Sequence, residues 1–189
     1  MIARVALMPS DELYVLHTVV SRLDSTGIPY MLSGSIALAA YATPRMTRDL
    51  DLVVQLEDSD VNQFVELFAD DFYCDANAVR RAVASRGIVN LIHHARVVKV
   101  DIIVRKDTPY RRLEFERRRS TRIDGADMWI VSPEDLILSK LAWAKDSRSE
   151  VQLGDVRDLV SSVEDLDWAY LDHWAGELTV TSLLAEARG

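Results

Sequence analysis

Apolar residues at Leu13, Leu16, Val20 and Leu23 recur at helical spacing behind the polar start Ser10-Asp11-Glu12, and Gly27 closes the run. This pattern predicts an amphipathic helix with a capped start and a glycine end. Residues 28–33 form a short apolar stretch of strand length, Gly34 interrupts it, and the alanine-rich residues 35–42 favour a small helix. Residues 48–56 alternate, with Leu50, Leu52, Val54 and Leu56 on one face and Asp49, Asp51 and Val53 on the other. That is the period of a strand, and it points both aspartates the same way. Helices at 58–69 and 76–85, a short strand at 72–75, and strands at 88–93 and 97–104 around a tight turn follow, with Asp101 inside the last. A charged helix at 109–119 and a strand at 127–131 end this alternating part. Beyond it, Ser132-Pro133-Glu134-Asp135 combines an N-cap serine, proline in the first helical position and acids in the first turn. The rest of the chain has helical periodicity.

These elements predict an α/β (α+β) protein in which a mixed β-sheet is flanked by helices. The expected division is a core over residues 1–131 with a C-terminal helical segment, 132–189, packed on it. The 189 residues suffice for one sizeable buried core. An apolar share of 49% is too high for a disordered chain. Neither a run of about 18 apolar residues nor a basic leader with an apolar core occurs, so a cytoplasmic, non-membrane protein is expected. Cys74 has no partner for an internal disulfide and is read as packing. The four tryptophans, Trp129, Trp143, Trp168 and Trp174, are read as core. His93 and His94 face opposite ways on a strand and lack a partner at zinc-ligand spacing.

Net charge is −8, which argues against a protein that coats nucleic acid. The charge is uneven, however: residues 79–122 hold 13 Lys or Arg against 4 Asp or Glu. That basic stretch is either a solvated, ion-paired face or a site for a triphosphate or an RNA backbone.

With 20 aspartates in the chain, a D-x-D pair carries weight only through its surroundings. Asp58/Asp60 sits at a helix start and Asp165/Asp167 between two helices, whereas Asp49/Asp51 lies in an apolar strand. Two carboxylates on one face of a buried strand repel each other and lose hydration, which is costly without a compensating cation. Asp101 interrupts a second apolar strand and completes a candidate three-carboxylate metal site of Asp49, Asp51 and Asp101. Such a donor set suits Mg²⁺ or Mn²⁺. The alternative role for Asp101 is an ion pair with a neighbouring arginine or Lys99. Gly34-Ser35 ends a strand and opens a helix, where free N–H groups receive phosphate. Arg45 and Arg48 flank the loop into the aspartates, either to brace a triphosphate or as surface charge.

Gly34, Ser35, Asp49, Asp51 and Asp101 together resemble the signature of the nucleotidyltransferase superfamily built on the DNA polymerase β-like core: G-S, a short spacer, D-x-D, then a later strand aspartate. Residues 34–39 and 44–52 are similar to its AbiEii/MenT-like branch, and so are residues 132–141 and 155–159, where Lys140 and Asp155 match a lysine followed by an aspartate. Gly154 stands where relatives often carry arginine. The resemblance implies a nucleotidyltransferase-type sheet, with Gly34, Ser35, Arg45, Arg48 and Lys140 on the nucleotide and Asp155 completing the site. It also implies metal-dependent transfer of NMP from an NTP to an acceptor hydroxyl on an RNA 3′ end, a protein or a small molecule. Some members of that branch are toxins of bacterial toxin–antitoxin pairs, so an antitoxin partner is a further expectation. The competing readings are an inactive nucleotidyltransferase-like protein that binds a nucleotide or a partner, and a D-x-D glycosyltransferase, which the short chain and the Gly-Ser turn fit poorly.

Overall fold

The computed structural model describes residues 10–43 and 49–189, so Arg45 and Arg48 lie outside the described residues. Its elements run α1 (Ser10–Thr26), β1 (Tyr30–Leu32), α2 (Gly34–Tyr41), β2 (Asp49–Val54), a 3-10 turn (Asp58–Asp60), α3 (Val61–Phe68), β3 (Phe72–Tyr73), α4 (Ala76–Ser85), β4 (Ile88–His93) and β5 (Lys99–Val104). Then come α5 (Pro109–Glu116), β6 (Arg119–Ile123), β7 (Ala126–Ile130), α6 (Pro133–Ser147), α7 (Glu150–Ser162), α8 (Trp168–Glu177) and α9 (Thr181–Arg188). All elements after Ile130 are helical, as the periodicity predicts.

The strands form one mixed sheet in the order β3-β4-β5-β2-β1-β7-β6. β2 runs antiparallel to β1 and parallel to β5, which it reaches through the α3-β3-α4-β4 excursion. A parallel neighbour demands such a crossover, because a tight turn can only reverse the chain. One face of the β2–β5 pair carries Leu50, Leu52, Val54, Val100, Ile102 and Val104, all buried in the cluster that includes Val15, Leu16, Phe64, Phe68 and Val83. The opposite face stays half open and carries the polar residues of the two strands.

Two sequence expectations change here. The charged run at 109–119 is not one helix: α5 stops at Glu116, and Arg119–Ile123 becomes an edge strand paired with β7. The hairpin turn is Asp124-Gly125, with φ of 47° and 84°. An Asp-Gly pair with both residues left-handed is the turn that suits a two-residue hairpin, and it was the available signal for β6. The strand itself is polar because it sits at the sheet edge, so no apolar alternation marks it.

The tryptophans also divide. Trp168 and Trp174 pack against the core, but Trp129 and Trp143 are 41% and 63% exposed. On β7 the inward positions are Met128 and Ile130, so the period of two turns Trp129 outward, where Arg118 stacks 5.1 Å from its ring.

The start of α6 is buried and heavily bonded. The Ser132 hydroxyl caps Asp135 N, and the fully buried Asp135 carboxylate accepts from Ser132 Oγ at 2.6 Å, Tyr170 Oη at 2.6 Å and Arg117 Nε at 3.0 Å. These bonds fasten α6 to α8 and to the end of α5.

Candidate active site

The open face of the sheet is organised in cross-strand rows. Asp49 on β2 is in register with Lys99 on β5, Asp51 with Asp101, and Val53 with Ile103. β4 continues all three rows, placing Ile92 beside Lys99, Asn90 beside Asp101 and Ile88 beside Ile103. The aspartates expected to meet are therefore brought together by strand register: Asp51 and Asp101 are direct neighbours, and Asp49 is one row away.

Gly34 shapes the wall behind Asp51. It opens α2 at φ +59°, and a Cβ there would lie 1.9 Å from Asp51 Oδ2. Only glycine permits both the left-handed backbone and this approach. Ser33 N–H donates to the Asp51 carbonyl oxygen at 2.9 Å, which ties the turn to β2. Ser33 occupies the N-cap position of α2 without a side-chain capping bond, and Ser35 is buried. The amides of a first helical turn favour an anion.

The electrostatics reflect crowded acids. Burial pushes the Asp51 carboxyl up to about 6, and the neighbouring Asp101 and Asp49 charges add to the rise, while Lys140 and Lys99 oppose it. Lys140 is almost fully buried on α6 and pairs with Asp155 of α7 at 2.6 Å, with Gln152 Oε1 a further acceptor at 3.3 Å. The two downstream positions singled out in the sequence are thus bound to each other, and the lysine charge is felt at Asp51.

Lys99 is the less expected participant. Its Nζ donates to Asp101 Oδ2 at 3.1 Å and lies 3.5 Å from Asp49 Oδ1, and Asn90 Nδ2 donates to the other Asp101 oxygen. Asp101 thus adjoins Asp51 and also forms the ion pair with Lys99 that was the alternative role for it. Among the described residues, no three acidic, histidine or cysteine side chains already stand as a metal-ligating group. The donors still fit a hard divalent cation: three carboxylates share one half-open face, and Asp51 is pushed up by burial and then by the two neighbouring acids, a cost that an added positive charge relieves.

A pocket of about 630 Å³ continues along the same face. Val53, Ile88 and Ile103 line it from the sheet and Trp143 from α6, so the next row after Asp51 and Asp101 is already pocket wall. Among its described lining residues, Arg86, Arg105, Lys106 and Arg111 outnumber Glu114 and Asp146. Arg105 Nε is buried with no hydrogen-bond partner. The basic middle of the chain supplies these cations, although many are already paired: Arg86 with Glu57, Arg105 with Asp107 and Arg111 with Glu114. Sequence reasoning left out Asn90, Arg105 and the pocket, and read Trp143 as core. Only the proximity of the basic stretch to Asp101 hinted at them.

No family model and no curated protein matches this chain. Solved structures do. An antigenic nucleotidyltransferase-like protein from Paracoccidioides brasiliensis is 20% identical, with 94% of each chain covered and a TM-score of 0.58. The lincosamide antibiotic adenylyltransferase LnuA is 13% identical over 82% of this chain and 99% of that one, with a TM-score of 0.53. The antibiotic-resistance factor ANT(2'')-Ia is 13% identical over 96% and 93%, also with a TM-score of 0.53. At such identities the likeness is one of fold, and the chain accordingly has a nucleotidyltransferase-type fold.

Proposed function

We propose that the protein is a nucleotidyltransferase, moving NMP from an NTP to an acceptor hydroxyl at the face formed by β2, β5 and the start of α2. The observation that carries this reading is Asp51, in register with Asp101 and lying against Gly34 at the head of a helix. Carboxylates beside free helix-start amides offer opposite ends of one phosphate chain a place: the amides take terminal phosphates, and the acids face the reacting phosphorus. The resemblance in sequence and the nucleotidyltransferase-type fold support the same assignment.

Asp49, Asp51 and Asp101 would hold Mg²⁺ or Mn²⁺. When bound, the cation supplies charge neutralisation at the phosphates and lowers the proton affinity of the attacking hydroxyl. Gly34 and Ser35 bind the β- and γ-phosphates. Lys140 contributes positive charge near Asp51, and Asp155 holds that lysine in place. The acceptor oxygen attacks the α-phosphorus, the bond from that phosphorus to the α–β bridging oxygen breaks, and pyrophosphate leaves. Asp101 takes the hydroxyl proton or orients the hydroxyl. Rate comes from alignment and charge stabilisation more than from covalent chemistry.

The pocket beyond Asp51 and Asp101 is where the acceptor docks. Lys106 and the buried, unpartnered Arg105 Nε in its lining favour a phosphate-bearing acceptor, such as an RNA end. The likeness of residues 34–52 and 132–159 to the AbiEii/MenT-like branch extends the reading to a toxin with an antitoxin partner. Co-expression with the product of a neighbouring gene, suppressing both growth arrest and transfer, is the check on that extension.

Incubating the protein with each α-labelled NTP, Mg²⁺ and total RNA tests the central claim. Label should enter an acceptor with the wild type and be lost in Asp49→Ala/Asp51→Ala. Unlabelled RNA, protein and small-molecule fractions with all four NTPs would sink it. The second reading, a catalytically inactive binding protein, is favoured by Lys99 lying between Asp49 and Asp101. Under that reading the same double substitution leaves partner binding unchanged.

A further inference from the structure

Lys99 differs from the other lysine at the site in a way that bears on how the site is loaded. Lys140 is buried, 5% exposed at its side chain, and locked to Asp155. Lys99 is 40% exposed at its side chain and reaches its two acids from the open side. Its position is dictated by the backbone: it is the register partner of Asp49, and Asp101 is the next residue on the same face of β5. An ammonium on a four-carbon stem there falls between the two carboxylates.

We propose that Lys99 is an internal counter-cation that holds Asp49 and Asp101 in the metal-free protein, and that a divalent ion loads the site by displacing its ammonium group. This rests on the nucleotidyltransferase reading only in taking these acids as the metal-binding face. The ammonium occupies carboxylate oxygens that a hard cation needs and repels that cation at close range. It is also cheap to move. Exposed ion pairs are weak because water replaces them, and the freed stem regains rotamer freedom. Asn90, whose amide donates to the far oxygen of Asp101, keeps that carboxylate facing the site while the lysine leaves. Conversely, an empty site with no lysine would leave three acids repelling one another. Lys99 therefore stabilises the unloaded protein at the expense of metal affinity.

The test is titration of the full chain with Mn²⁺, followed by calorimetry and electron paramagnetic resonance, for wild type and Lys99→Met. Lys99→Gln is a second variant should the first fail to fold. Removing the competing charge should tighten Mn²⁺ binding about tenfold, the scale of one exposed ion pair to Asp49 and one half-buried pair to Asp101. It should lower the melting temperature in EDTA and enlarge the rise on adding Mn²⁺. A merely structural lysine predicts the reverse for affinity, so unchanged or weaker binding in both variants overturns the inference. Tighter binding without label transfer from any NTP leaves the inference standing and removes the enzymatic reading. Transfer by the wild type with unaltered Mn²⁺ affinity in the variants does the opposite. No Mn²⁺ binding by any of the three proteins overturns both.

Discussion

Lys140 and Asp155 form a buried ion pair at 2.6 Å that joins α6 to α7 beside the carboxylate face. Removing one partner of such a pair leaves a charge in low dielectric, which costs about 3–5 kcal/mol, whereas an apolar replacement of both is close to neutral. Lys140→Met should therefore destabilise the fold strongly in urea melts, and Lys140→Met/Asp155→Leu much less. If Lys140 also serves the nucleotide, the double variant folds and remains unable to transfer label. Full activity in that variant would reduce the pair to a structural tie.

Gly34→Ala should reduce transfer by at least about a hundredfold, the size of losing an aligned phosphate site. The new Cβ would meet Asp51 Oδ2 at 1.9 Å, and alanine does not favour φ of +59°. The clash and the backbone strain separate in a double-mutant cycle. In an Asp51→Gly background the alanine keeps only its strain, about 1–2 kcal/mol. A stability cost of Gly34→Ala that is identical in both backgrounds would show that the contact carries no energy.

The pH dependence of stability follows from Asp51, whose carboxyl sits at about 6 instead of the ordinary 3.8. A carboxyl raised in the folded state favours folding while protonated. That contribution is complete below about pH 4 and is lost as pH rises through about 6. In EDTA, Asp51→Asn should match the wild type near pH 4 and exceed its stability near pH 8 by about 1–3 kcal/mol, the scale of a two-unit shift. Equal melting curves at both pH values would contradict the crowding of acids on this face.

Tyr170→Phe tests the anchoring of α6. The Tyr170 hydroxyl donates to the fully buried Asp135 carboxylate at 2.6 Å. Its loss should cost about 1.5–3 kcal/mol in chemical denaturation, the range for a hydrogen bond to a charged group. Transfer rate under folding conditions should change little, because Tyr170 acts on the helix and not on the site.

Trp143→Ala should behave in the opposite manner. Because Trp143 is 63% exposed, its loss should shift stability by no more than about 0.5 kcal/mol. If the pocket receives the acceptor, KM for the acceptor rises while KM for the NTP stays put. A change confined to the NTP would place the nucleotide, not the acceptor, against Trp143.

Most of the local structure could be read from side-chain period. The alternation through 48–56 assigned Asp49 and Asp51 to one face, and the cap at Ser132 lies where the Ser-Pro-Glu-Asp start indicated. β6 escaped because an edge strand needs no apolar side, and Trp143 was misread because an exposed tryptophan has the same sequence appearance as a buried one.

Short-range pattern determines which way a side chain points within its own element, since helix and strand periods are properties of the backbone. On that basis the sequence alone specified the Gly34-Ser35 turn, the paired aspartates and the strand aspartate at Asp101. Distances between elements depend on register and packing, which no local pattern encodes. Tertiary structure decided that Asp51 meets Asp101, that Lys99 comes between Asp101 and Asp49, and that α6 delivers Lys140 to Asp155. The physical reason is that the parallel β2–β5 pairing is made only after the chain has travelled through α3, β3, α4 and β4.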